Sequence, residues 1–297
     1  MGERRGVRTL ERGAIWALAP VVAILPFSAL ALFVLWLPVG WATDVRFWWV
    51  LLGFAGAGVA LFVRPVQVAI LTPVLGARRP SAIEEGRIAP VWAEIAQANH
   101  LPVERYVVRV LPSDELNAFA CGGHLVVVTS WAVDALDDAQ LRGVLAHELS
   151  HHLGLHTVAI TIGHWFSVPV VLLARVGFFL QNVGQAAVDS FGQHSTVVHA
   201  IAAVVAATMR AVSWVFTAAL RGADALANLV GHASEFEADR RAVRMGFGRE
   251  LASALRQLIE VGTSPRPIGW RAKLAASHPP ARTRVARIEA LMRHPAG

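Results

Sequence analysis

The stretch His147-Glu148-Leu149-Ser150-His151 sets two imidazoles four residues apart, with a carboxylate next to the first. On a helix, positions four apart stand one turn above each other on one face, so both rings can reach a single metal ion at about 2.0–2.1 Å. Glu148 is turned from His147 by roughly 100° of helix, beside the ion and not on it. A carboxylate there can take a proton from water whose pKa zinc has lowered to about 7, the task of the general base in a zinc peptidase.

A catalytic zinc needs a third protein ligand and an open position. Glu235 is the candidate, and Asp239, one helical turn further on the same face, is placed to hold a ligand histidine by its free N–H. His156 is the rival. The longer pattern His-x-x-Gly-x-x-His runs from His151 through Gly154, but its last histidine would fall at position 157, which is Thr157. Five residues beyond His151, a continuing helix would point a side chain about 140° off the ligand face.

These residues need a helix to hold them, and its ends are written in the flanks. Asp137 with Gln140 has the layout of a capping box, and the acids at 137 and 138 suit the positive end of a helix dipole. Leu141, Val144, Leu145 and Leu149 form a core-facing stripe, and Gly154 is placed to end the helix. Upstream, Tyr106–Leu111 and His124–Thr129 are short β-branched runs bounded by Pro and Gly, which read as strands of a small sheet. Before them, Ser81 caps a helix through Ile83, Ile88, Val91 and Ile95 that Pro90 limits or bends.

The rest of the chain is apolar. Of 297 residues, 55% are hydrophobic and only 16% charged, so a membrane protein is the expectation. Residues 14–39 carry no charge and suffice to cross a hydrocarbon core of about 30 Å, as an uncleaved anchor and not a signal peptide, because the run continues past Ala29-Leu30-Ala31. Further spans are expected at about 47–63, 157–180 and 196–220. His164, Arg175, His199 and Arg210 fall inside the last two, where they are read as bundle-facing or snorkelling side chains. Arg4, Arg5, Arg8 and Arg12 precede the first span, and Arg64, Arg78, Arg79 and Arg87 follow the second. The asymmetry puts both ends of that hairpin in the cytoplasm. The net charge of +6 comes largely from these flanking arginines, which argues against nucleic acid as a partner. A single cysteine, Cys121, suits a reducing, cytosol-facing domain.

The expected organisation is a tail and transmembrane hairpin over 1–65, a first protease segment over 66–156 and a second hairpin over 157–220. A second protease segment over 221–297 follows, carrying the third ligand on a helix from Arg221 to Met245. Pro279 starts a final helix through Val285, Ile288 and Leu291.

Several motifs in this order resemble a known family. They are Asn117-Ala118-Phe119-Ala120, His147-Glu148-Leu149-Ser150-His151, Ser234-Glu235-Phe236-Glu237-Ala238-Asp239, and Ser277-His278-Pro279-Pro280 with Arg284. The resemblance is to the HtpX-type membrane zinc metalloproteases, relatives of the CAAX prenyl proteases. It implies a mainly helical α+β fold in which four transmembrane helices carry a cytoplasmic zincin-like domain with a small β-sheet. By the same resemblance one Zn2+ is held by His147, His151 and Glu235, with Glu148 as base and Asp239 and Arg284 behind the ligands. Asn117 and His278 are then candidates for contacts with substrate or oxyanion. Cys121, where the family often has Thr, and the extra His152 are departures.

The function expected is a membrane-integral zinc endopeptidase acting on membrane or misfolded proteins in quality control. One alternative is a sensor-transducer protease that cleaves a cytoplasmic repressor, for which the short outer loops leave no ligand-binding domain. The other is an inactive scaffold with a structural zinc, which a fourth protein ligand would betray.

Overall fold

The computed structural model describes residues 18–154, 156–191, 196–261 and 279–294. The N-terminal arginines and His278 therefore lie outside the described residues. The described chain is mainly helical with one three-stranded sheet. It gathers into two compact units: one from Val59–Thr161 and the chain from Asn228 on, the other from Leu18–Gly58 and Ile162–Ala227.

The second of these is built from α1 (Ala19–Ala42), most of α2 (Phe47–Ala60) and the apolar parts of α7 (His156–Phe191) and α8 (Thr196–Arg244). Ile24, Ala31, Val170, Leu173 and Phe216 form its core, and Trp165 Nε1 donates to the Phe54 carbonyl at 3.1 Å. Among the described residues, three helices are long and apolar enough to cross a membrane: Ala19–Ala42, Thr157–Leu180 and Ala203–Arg244. A fourth span exists only if α2 and α3 (Arg64–Leu75) count together, because the 14 residues of α2 rise about 21 Å, short of a 30 Å core. Arg210 is exposed and does not face a neighbouring helix of the bundle, and Arg175, read as a snorkelling side chain, is exposed as well.

Helix α8 also departs from expectation, because no break separates a span ending at 220 from a ligand helix starting at 221. Arg221 and Asp224 mark a change of polarity, but nothing there stops a helix: the segment has no proline, and Gly222 costs only about 1 kcal/mol. For the same reason α7 continues to Phe191 through what reads as a polar loop.

The other unit carries the sheet. Strands β1 (Val107–Leu111), β2 (Ala118–Cys121) and β3 (Leu125–Thr129) lie in the order β1-β3-β2, with β3 parallel to β1 and antiparallel to β2. Every residue of β3 is buried, since both faces of the sheet are covered. Val126 and Val128 pack against α4 (Ala82–Ala98) and α6 (Asp138–Leu153), while Leu125 and Val127 pack with Ala77, Leu111 and Leu71 of α3. That explains the unbroken apolar run of β3, where a sheet with one wet face would alternate. A short α5 (Ser130–Ala135) follows β3.

Helix α9 (Gly248–Val261) packs on α6 and on α10 (Ala281–Arg293), and its Leu251 and Leu255 share a buried cluster with Ala242 of α8 and Ile288 of α10. The contact with α6 is close because position 143 is glycine: a Cβ there would run into the backbone at Leu251.

Candidate metal centre

Helix α6 begins where local chemistry says it should. Asp137 Oδ1 accepts from the Gln140 amide at 2.7 Å, and Gln140 Oε1 accepts from the Asp137 amide at 3.0 Å. From that start the helix carries His147 and His151 on one face and ends at Gly154. Glu148 is 3% exposed beside them.

Helix α8 brings the third group. Glu235 Oε2 lies 3.3 Å from His147 Nε2 and Glu235 Oε1 lies 3.2 Å from His151 Nε2, while the two Nε2 atoms are 3.3 Å apart. Behind them Asp239 Oδ1 lies 3.0 Å from His147 Nδ1. Helix α10 then adds Arg284, whose Nε and Nη2 donate to the two oxygens of Asp239 at 2.9 and 2.7 Å. Its Nη1 lies 3.6 Å from Glu235 Oε2. All six side chains are buried.

This donor set fits a metal ion. Four ligands held tetrahedrally at about 2.0–2.1 Å stand about 3.3–3.4 Å from one another; the two Nε2 atoms have that spacing, each has one Glu235 oxygen at 3.2–3.3 Å, and one ligand atom from each of the three residues lies within 4.8 Å of the others. Charge points the same way. Glu148, Glu235 and Asp239 set against Arg284 leave two negative charges unbalanced among these residues, which a divalent cation would cancel. Burial and the Arg284 charge push the His147 imidazolium down, but its bonds to Asp239 and Glu235 outweigh them and raise it to about 9. The carboxylates thus call for positive charge at this point. Asp239, accepting at Nδ1, fixes the tautomer that leaves the Nε2 lone pair for a metal.

The sequence pattern of Peptidase family M48 matches residues 82–292, which includes every residue of this cluster. The chain belongs to peptidase family M48. Its similarity to M48 relatives extends beyond the cluster. A "Protease HtpX homolog" of Acidiphilium cryptum is 26% identical over 263 residues, covering 80% of this chain and 84% of the relative. One from Kineococcus radiotolerans is 24% identical, with 94% of each chain covered. Among solved structures, S. mikatae Ste24p is similar with a TM-score of 0.47 at 16% identity, over 86% of this chain and 61% of that one. Membership of M48, with its apolar helices, makes this chain a membrane metalloprotease.

The other residues singled out from the sequence fall as follows. Asn117 immediately precedes β2, and its backbone is held at both atoms: its amide donates to Thr129 Oγ1 at 3.1 Å and its carbonyl accepts from the Thr129 amide at 3.0 Å. His278 lies outside the described residues. The sequence places a sheet edge near Asn117 to Gly123 but does not mark a separate strand there, since Ala118-Phe119-Ala120-Cys121 depends on β3 for its conformation. Because Asn117 bonds inward to Thr129, Phe119 and Cys121 do the same, and Ala118 and Ala120 turn their N–H and C=O groups outward. Among the described residues no strand pairs with that outer edge.

The two departures have structural explanations. Burial pushes the Cys121 thiol up to about 11, against a slight opposing effect of the Gly122 amide, so it stays protonated. His152 is fully buried, stacks on Tyr106 at 4.8 Å, and holds the Leu125 carbonyl at 3.0 Å and the Thr157 hydroxyl at 3.2 Å. The carbonyl can only accept, so Nε2 donates to it and Nδ1 accepts from Thr157.

Proposed function

We propose that the chain is a zinc-dependent endopeptidase that cleaves extended segments of membrane or misfolded proteins at the cytoplasmic side of a membrane. The observation that supports it most is the convergence of His147 Nε2, His151 Nε2 and the Glu235 carboxylate, with Asp239 behind and Glu148 beside them.

In this reading one Zn2+ is held by those three residues and, when bound, supplies a Lewis acid that polarises the scissile carbonyl and makes water acidic. Glu148 takes the proton from the attacking water and delivers it to the leaving amine. Asp239 keeps His147 in the tautomer that can ligate, and Arg284 holds Asp239 in place and offsets its charge. The substrate pairs with the outward N–H and C=O groups of Ala118 and Ala120, adding a strand to the edge of β2. Asn117, at the start of that strand, and His278 are assigned to substrate and oxyanion contacts.

The protease domain is proposed to be assembled from two stretches, 66–156 and 221–297, separated by the second hairpin over 157–220, with 1–65 as tail and first hairpin. The gathering of Val59–Thr161 with the chain from Asn228 into one unit supports this. The arginines around the first hairpin support the cytoplasmic orientation. Quality control as the biological role rests on the resemblance to HtpX-type proteases.

The test is Glu148→Gln. The variant should keep its full complement of zinc and lose proteolysis of casein, because its side chain acts on water and not on the ion. Cleavage at the wild-type rate by purified Glu148→Gln would falsify the mechanism.

A further inference from the structure

Gln67 is completely buried on α3, a helix of mostly apolar sequence, and a buried primary amide is costly unless both of its ends are bonded. Both are. Pro65 has no N–H, so the carbonyl of Leu61, four residues earlier, loses the donor a continuous helix would give it. Gln67 Nε2 donates to that carbonyl at 2.9 Å. At its other end, Gln67 Oε1 accepts from the Gly123 amide at 3.0 Å, in the turn between β2 and β3.

The turn is shaped to receive this amide. Gly122 has φ 64°, in the left-handed region that favours glycine, and a Cβ there would run into the Gln67 side chain. Strand β2 is thus fastened at both ends by polar side chains from outside it: by Thr129 at Asn117 and by Gln67 at Gly123. Between these two points lie the outward backbone groups of Ala118 and Ala120. A four-residue edge strand paired on one side only has little else to fix the height and twist of those groups.

We propose that Gln67 is a positioning residue for substrate: by clamping the β2–β3 turn to the helix break at Leu61, it holds the free edge of β2 where an extended peptide can pair with it. The inference rests on the edge-strand reading given under Proposed function. It gives Gln67 no part in the chemistry. Loosening the edge weakens binding of ground state and transition state alike, so KM rises while kcat holds.

The experiment compares wild type, Gln67→Leu and Gly122→Ala on a fluorogenic casein-derived peptide and on the same peptide N-methylated at one non-scissile amide. Wild type should show a several-fold higher KM for the N-methylated peptide, which lacks one strand-pairing donor. Gln67→Leu should show a several-fold higher KM for the unmodified peptide, a smaller penalty for N-methylation, and unchanged kcat and zinc content. Gly122→Ala attacks the same clamp from the other side and should reproduce this pattern if Gln67→Leu does not fold. In either variant the Gly123 amide should exchange its hydrogen faster than in wild type. A wild-type N-methyl penalty with KM unaltered in the variants, or a fall in kcat at constant KM, overturns the role of Gln67 alone. A wild type indifferent to N-methylation overturns the edge-strand reading, and this inference with it.

Discussion

Arg284 grips both oxygens of Asp239, at 2.7 and 2.9 Å, and the same carboxylate reaches His147 Nδ1 at 3.0 Å, with Arg284 Nη2 itself 3.2 Å from the His147 ring nitrogens. Three helices distant in sequence therefore meet on one carboxylate. Asp239→Asn should weaken zinc binding about 10–100-fold, as read by chelator competition. Arg284→Gln should be worse for folding, because it leaves Asp239 and Glu235 buried without their cation, a loss of about 3–5 kcal/mol. The double variant should be less damaged than the two single losses combined. Strict additivity would show that the pair does not act as a unit.

The identity of the third ligand is open to a direct comparison. Glu235→Ala should purify with much less zinc and no activity, since it removes an oxygen from each of the contacts with His147 and His151. His156→Ala should keep both. The opposite result in metal analysis of the two proteins would make His156 the ligand and undo the assignment of Glu235.

Position 143 tests the packing that carries the ligand helix. Gly143 lies one turn before His147 on α6, and a Cβ there meets the backbone of α9 at Leu251. Backbone cannot step aside as a flexible side chain can. Gly143→Ala should cost about 1–3 kcal/mol and lower the thermal midpoint. An unchanged midpoint would mean that α6 and α9 separate at little cost.

Acid sensitivity should come in part from the start of α4. The hydrogen bond from Arg78 to Glu84, helped by Ser81 and opposed by burial, lowers the Glu84 carboxyl from 4.5 to about 2. A carboxylate whose folded pKa is depressed stabilises fully above its unfolded value and loses that contribution as pH falls through the folded one. Glu84→Gln should therefore melt below wild type at neutral pH, with the gap closing between 4.5 and about 2. A gap that stayed constant over that interval would remove the ion pair as its cause.

What could be read from the sequence was local. Ser81 as a cap and the pair Asp137 with Gln140 marked the starts of α4 and α6, because capping chemistry spans only three residues; that Glu84 closes the box on Ser81 came from the structure. The spacing of His147, His151, Glu235 and Asp239 picked out the side chains that converge, since helical period alone puts each pair on one face. What escaped was set at a distance. Strand β2 exists by pairing with β3, the length of α8 is hidden by a change of polarity that is not a helix stop, and the place of Gln67 depends on a turn 56 residues away. A glutamine two residues after a proline in an apolar helix was the available signal for the last.

His152 stands next to a ligand and has the same side chain, yet both its nitrogens are committed, one to the Leu125 carbonyl and one to the Thr157 hydroxyl. A fourth protein ligand, here a third imidazole, would saturate a tetrahedral zinc ion and turn a reactive centre into a rivet. By tying this ring to the central strand, the fold keeps it off the His147, His151 and Glu235 cluster, so that a zinc ion held there as proposed would keep a position for the incoming reactants. The third histidine of the run thus guards the enzyme against being poisoned by its own side chain.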